Sequence, residues 1–179
     1  MKDSEVTSTA VTRAVDTLHA VLTGIGWEPR EDTETAGFVV DFDPPYIPVA
    51  YAYAAISPDL EVFVFHLNFG VAAAASRREE TARFLTLANL HLMVGNFEID
   101  LEDGVVRFRS SLSFQGTELS EVLIRNVILC AMTTVERYAE GVIDVMARGK
   151  SAEDAFHEIT LSRQSAKDPA GELEEKAPE

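Results

Sequence analysis

Thiols are nearly missing from this sequence: Cys130 is alone, so neither a disulfide nor a pair of cysteine ligands can form. Its apolar surroundings make it read as a small buried hydrophobe, and the composition suits a reducing compartment. Long hydrophobic runs are missing too. No window approaches 18 uninterrupted apolar residues, and Met1 to Ser8 has no basic segment followed by an apolar stretch. Neither a membrane span nor a signal peptide is expected, and the protein reads as cytoplasmic. Positive charge is scarce: 15 basic residues against 30 acidic ones give a net −15, and lysine and arginine nowhere form a tract. Polyanions are repelled at long range, which disfavours nucleic acid as a partner.

Recognisable chemistry is the last absence. His19, His66, His91 and His157 are far apart, and none belongs to a His-Glu-x-x-His or paired-ligand pattern. His66, in an apolar strand, and His91, on an apolar helix face, read as hydrogen-bonded interior groups. Asp41 with Asp43, and Asp100 with Glu102 and Asp103, lack the spacing of a calcium loop. Gly24 and Gly26 follow a helix, the wrong order for a phosphate loop, and no Gly-x-Ser-x-Gly elbow occurs. The sequence points to a protein that is not an enzyme and needs no cofactor or metal, although catalytic residues can converge from distant positions.

What is present is architecture. Apolar residues Val11, Val15, Leu18, Leu22 and Ile25 recur at helical spacing and predict a first helix over 9–22. A polar loop, 30–35, then leads to a strand over 37–42, ended by Asp43-Pro44-Pro45 because adjacent prolines cannot donate to a ladder. Two more strands, 49–56 and 60–69, meet across Ser57-Pro58-Asp59. In the first, Ala50, Ala52 and Ala54 form one face and Val49, Tyr51, Tyr53 and Ala55 the other. In the second, Leu60, Val62 and Val64 alternate with Phe63, Phe65, Leu67 and Phe69. Both faces are apolar, so either two layers close within the monomer or a second molecule covers one of them. The alanine face admits a helix closely, leaving Tyr51 and Tyr53 outward. Tyr46, Tyr51, Tyr53, Phe63 and Phe65 are the candidate partner or dimer surface.

Ser76-Arg77-Arg78-Glu79 has the pattern of a capping box and predicts a helix running to Gly95, with Phe84, Leu87, Ala88, His91 and Leu92 on its apolar stripe. Asp103-Gly104 between alternating runs predicts a hairpin with a two-residue turn. That turn places Glu98 opposite Arg109 and Asp100 opposite Arg107, and puts Phe97, Ile99, Leu101, Val106, Phe108, Leu112 and Phe114 on one dry face. Arg107 and Arg109 then balance their acidic neighbours on a wet face. A long apolar helix over 119–147 follows, with Glu121 four residues before Arg125 and Asp144 four before Arg148. It crosses the sheet as core or supplies a dimer seam. The expected organisation is an N-terminal tail over 1–8, one domain over 9–149, a short helix within 150–163 and an acidic disordered tail over 164–179.

The order helix, three strands, helix, two strands, long helix is an α+β arrangement, an antiparallel sheet with helices packed on it. With Phe84-Leu85-Thr86-Leu87-Ala88-Asn89-Leu90 leading into Gly95-Asn96-Phe97-Glu98-Ile99-Asp100, it resembles the YbjN family of bacterial proteins over 9–149. That family's fold is similar to type III secretion chaperones. The resemblance implies homodimerisation and a role as sensory-transduction regulator or chaperone-like protein, without established chemistry. Secretion chaperones hold an extended client segment against apolar patches. No catalytic or binding residue transfers with the resemblance; Asn89, its one family-like polar position, is explained by a bond to nearby backbone. Two functions compete: a homodimeric protein-binding regulator, and a small-ligand sensor with a pocket between sheet and helices lined by Trp27, Tyr46 and Phe65.

Overall fold

The computed structural model of the chain describes residues 2–42 and 48–167, with side chains over 10–42 and 48–161. Among the described residues, four helices and six strands follow one another as α1 (Lys2–Gly24), β1 (Arg30–Asp32), β2 (Gly37–Asp41), β3 (Val49–Ser57), β4 (Val62–Ala72), α2 (Arg78–Asn89), β5 (Asn96–Ile99), β6 (Val105–Ser113), α3 (Glu121–Ala147) and α4 (Ala152–Lys167). The strands form one antiparallel sheet in the order β1-β2-β3-β4-β6-β5. The α+β fold expected from the sequence is therefore present. It gains one short strand, because Arg30–Asp32 pairs with Gly37–Asp41 where a polar loop was expected.

β4 lies between β3 and β6, and its alternation sets the layers. Phe63, Phe65 and Leu67 are wholly buried and Phe69 nearly so. Their cross-strand neighbours, Ile56, Ala54, Ala52 and Val49 on β3 and Leu112, Ser110 and Phe108 on β6, fall on the same face. Against them pack Leu18, Val21 and Leu22 of α1 and Ile124, Val135, Tyr138 and Val142 of α3. The small Ala52 and Ala54 let the helix layer approach, as the alanine pattern predicts. Val49 departs from that pattern. A bulge at Ala50 shifts the register, so that Val49 opposes Phe69 and turns into the core rather than outward with Tyr51.

The β5–β6 hairpin is present with its register slipped by two residues: Glu98 opposes Arg107 and Phe97 opposes Phe108. The chain reverses through four residues, with the Asp100 amide donating to the Val105 carbonyl (2.9 Å) and the Gly104 amide to the Asp100 carbonyl (2.8 Å). Two aspartates explain this. Asp100 accepts from the Glu102 amide and Asp103 from the Val105 amide, local bonds that replace the tighter turn. Arg78 then clamps the tip by donating to the Leu101 and Glu102 carbonyls (3.0 and 2.7 Å). A slip of two preserves which side chains face inward, so the dry face survives except for Leu101, exposed in the turn.

Helix ends also depart from expectation. The capping box is not formed: Ala75–Arg77 is a 3₁₀ turn and α2 begins at Arg78 without a side-chain cap. Arg77 is drawn off by the Val145 and Lys150 carbonyls, at 2.9 and 2.5 Å, which tie α2 to the end of α3. α2 stops at Asn89, leaving His91 outside the helix and exposed, stacked on Phe156 at 5.2 Å. α1 extends back to Lys2, so residues 2–8 are helical rather than a tail. α3 matches its predicted span, with the Ser120 side chain capping the Leu123 amide and both Glu121–Arg125 and Asp144–Arg148 paired. Cys130 is half-buried on it. α4 runs well beyond the short helix expected there, while residues 168–179 lie outside the described residues.

Asn89 has a definite task. Its amide donates to the Phe97 carbonyl (3.0 Å) and its side-chain oxygen accepts the Phe97 amide (2.8 Å), so one side chain pairs with the free edge of β5 as a strand would. Asn89→Ala is expected to lower the unfolding free energy by roughly 1–3 kcal/mol, measured by urea denaturation, because it strands a Phe97 amide. Ser110 is the opposite case: 1 % exposed on the core face, its hydroxyl has no partner. Ser110→Ala is expected to stabilise by about 1 kcal/mol in the same measurement; a loss would contradict this account.

Candidate partner-binding face

All four helices serve the core face of the sheet, and among the described residues no helix covers the other. Antiparallel register arranges that open face as rows across β3, β4 and β6. One row is Tyr53, His66, Arg109; the next is Tyr51, Asn68, Arg107. Each row runs from tyrosine through a polar side chain to arginine. Asn96 and Glu98 of β5 extend the rows on one side, and Val39 and Asp41 of β2 on the other.

Tyr51 is 38 % exposed and Tyr53 half-buried, its hydroxyl donating to the Thr35 hydroxyl at 2.9 Å. The His66 ring stands 5.7 Å from that of Tyr53. Glu98 serves both arginines, 2.7 Å from Arg107 Nε and 3.6 Å from Arg109 Nη1, while Asp100, expected to face Arg107, lies beyond the strand. Asp100 and Asp103 line one shallow pocket with Glu98 and Arg107, and Asp41 ends the Tyr51 row, so carboxylates match the arginines of this face. Burial pushes the Glu98 carboxyl up, but hydrogen bonds from Arg107 and Asn96 and the charge of both arginines outweigh it and hold the group below its ordinary range. Burial pushes His66 the other way, to about 4, with Arg107 and Arg109 adding to the effect and Glu98 opposing it. His66 is thus neutral at physiological pH. Its Nε2 is enclosed and has no hydrogen-bond partner, contrary to the satisfied interior histidine expected.

The five candidate surface residues divide. Tyr51 and Tyr53 lie together on the open face. Phe63 and Phe65, both fully buried, belong to the core face and form no surface with them; that part of the expectation is corrected by the alternation of β4. Tyr46 lies outside the described residues. Trp27 packs against Phe42 (5.3 Å) and Phe65 (6.3 Å), so Trp27 and Phe65 fill the core instead of lining a pocket. An open apolar groove of about 810 Å³ does lie between sheet and helix, bounded by Phe42, Val49, Ala50 and Val71 on one side and Glu140 and Ile143 of α3 on the other. Among the described residues no three His, Cys, Asp or Glu side chains converge as metal ligands, and no helix is long and apolar enough to cross a membrane.

Asn68 was not named from sequence, and His66, Arg107 and Arg109 were read as an interior histidine and as partners of acidic neighbours rather than as parts of one surface. The available signal was polarity at alternate positions: β4 reads Val62, Val64, His66, Asn68 on its outer side, so that face turns polar along the strand.

The chain matches the model of the YbjN family, described as "Putative bacterial sensory transduction regulator", over residues 14–144. No curated protein sequence matches it. Among solved structures, YbjN from E. coli superposes with a TM-score of 0.54 at 15% identity, covering 68% of this chain and 87% of that one. A chain of the ExsC-ExsE complex superposes with a TM-score of 0.55 at 14% identity, covering 73% of this chain and 93% of its own. Identities this low show the fold alone.

Because its folded-state pKa is depressed, His66 lowers stability as pH falls: the folded protein resists a proton that the unfolded chain takes up near 6.5. The His66 contribution is fully present above about pH 6.5 and is lost progressively down to about pH 4. Replacing it by Gln should remove that part of the decline, measured by urea denaturation at pH 7 and near pH 4.5; an unchanged slope would contradict it.

Proposed function

The chain belongs to the YbjN family, and from that premise we propose that it is a non-enzymatic regulatory or chaperone-like protein of the bacterial cytoplasm, homodimeric, that holds a protein partner against the open face of its sheet. One observation carries the reading: a six-stranded sheet packed on one side leaves Tyr51, Tyr53, Arg107 and Arg109 together on the other. Tyrosine and arginine are the side chains in which binding energy concentrates, since each joins a broad apolar surface to a directional polar end. The likeness in fold to a protein seen in the ExsC-ExsE complex supports a protein partner. For self-association, α3 exposes Val122 and Leu129, at 64% and 66%, on the flank away from the core.

A second reading, a sensor of small ligands, is favoured by the groove between sheet and α3. Its walls are apolar with few polar groups, as in small-molecule sites.

Tyr51→Ser combined with Tyr53→Ser is expected to weaken capture of partner proteins in a pulldown at least about tenfold, which corresponds to ~1.4 kcal/mol, with the melting profile confirming a folded variant. Undiminished capture by the folded variant would remove the open face as the binding surface.

A further inference from the structure

Among the described residues, pockets lie at two diagonally opposite corners of the open face. At the β1–β2 turn and the end of β3, a pocket of about 420 Å³ is walled by Ala36, Tyr53, Ala55, Pro58 and Val64, with Glu34 as its charged group. At the tip of the β5–β6 hairpin, a pocket of about 370 Å³ is lined by Glu98, Asp100, Asp103 and Arg107 beside Ile99 and Val105. We propose that the open face takes an extended segment of a partner protein, with an apolar side chain in the first pocket and a lysine or arginine, roughly six or seven residues away, in the second. The inference rests on the reading of that face as the partner surface, and adds the chemistry of the segment it recognises.

Charge decides what fits the second pocket. Three carboxylates face one guanidinium there, and that guanidinium is already committed, with Arg107 Nε 2.7 Å from Glu98. Asp100 and Asp103 each give one oxygen to a backbone amide of the turn, that of Glu102 and that of Val105, and neither has an ion pair among the described residues. An entering cation meets two carboxylates that the turn already holds in place, whereas an anion is repelled by all three. The net charge of −15 draws a basic segment towards the molecule at long range. The first pocket has apolar walls and no cation among its described lining residues, so it suits an aliphatic or aromatic side chain.

Register sets the spacing between the two pockets. Val64 of the first opposes Ser111 on β6, and Val105 of the second lies further along the same strand, roughly 20 Å away at ~3.4 Å per residue. From β4, which carries Val64, across β6 to β5, which carries Glu98, is roughly 10 Å at ~4.8 Å per strand. The diagonal is then roughly 22 Å, the length of about six or seven extended residues. It crosses the His66–Arg109 and Asn68–Arg107 rows. Arg109, 44% exposed and 3.6 Å from Glu98, is placed there to donate to a carbonyl of the segment.

The test offers the full chain an array of extended peptides on a serine–glycine background, each with one leucine and one lysine, at every separation and in both orders. Binding is expected to peak where the two are about six or seven residues apart. Asp100→Asn with Asp103→Asn keeps the oxygens that accept the turn amides and removes the charge. It is expected to weaken binding of the best peptides by about fivefold, the scale of an exposed ion pair, with the melting profile confirming a folded variant. Glu136→Gln with Glu140→Gln removes two charges from exposed positions on α3 and is expected to leave the pattern unchanged. A lysine preference that is independent of distance from the leucine overturns the proposal, and so does one that both charge variants lower equally, because either assigns it to overall charge. Wild-type binding to none of the peptides overturns it as well. The two readings fail separately. Binding that needs Tyr51 and Tyr53 but ignores Asp100 and Asp103 removes only the cation pocket. Separation-dependent binding that ignores the tyrosines removes only the tyrosines as the partner surface.

Discussion

Everything in this molecule depends on the side-to-side alternation of β4, a central strand paired on both edges. Side chains of successive residues point to opposite faces, so a strand hydrogen-bonded to β3 and β6 imposes its alternation on both neighbours. Phe63, Phe65, Leu67 and Phe69 commit one face to the helices, and at about 1.5–3 kcal/mol each their burial contributes roughly 6–12 kcal/mol. The same periodicity forces Val64, His66 and Asn68 outward. Once the core face is fixed, the tyrosines of β3 and the arginines of β6 have no other place than beside them. The candidate surface is a consequence of how the core is built.

The helix layer is fastened by polar ties at its ends as well as by apolar packing. Asp144, almost fully buried, receives Arg148 at 2.7 Å and Lys150 at 2.6 Å, and Lys150 continues to Glu158 at 2.7 Å, joining the end of α3 to α4. The Lys150 hydrogen bond, with help from Arg148, holds the Asp144 carboxyl below its ordinary range despite the opposing burial, and Asp144 and Glu158 in turn raise the Lys150 ammonium. Glu80 accepts the Ala152 amide at 2.6 Å at the start of α4, and Gly141 leaves room where Phe84 of α2 and Ile159 of α4 converge on α3. These contacts put the helices on one side and the edge of β5 under Asn89. Among the described residues, no helix packs on the opposite face.

Much of this was legible in the sequence because it is periodic. The alternation of the β5–β6 hairpin, the alanines of β3 and the 27-residue span of α3 follow from local pattern, and the family resemblance followed from their order. The misreadings have local physical causes. Asp100 and Asp103 made their own backbone bonds and widened a turn that Asp103-Gly104 alone would have kept tight. Distant carbonyls claimed the guanidinium groups of Arg77 and Arg78 at the start of α2, and a bulge at Ala50 inverted Val49. Phe63 and Phe65 looked like surface candidates because β4 is apolar on both sides for half its length. Only its pairing partners reveal which side the helices take. The Tyr-His-Arg and Tyr-Asn-Arg rows are a property of register across three strands, and no single stretch of sequence contains them.

The central claim is that other proteins meet this molecule on the open sheet face. The most direct measurement is site-specific photocrosslinking in cells, with a photoreactive phenylalanine at Tyr53 in one protein and at Arg137, on the exposed side of α3, in another. The account predicts partner adducts from position 53 and few or none from position 137. Adducts confined to position 137 would contradict it and move the binding surface to the helix layer.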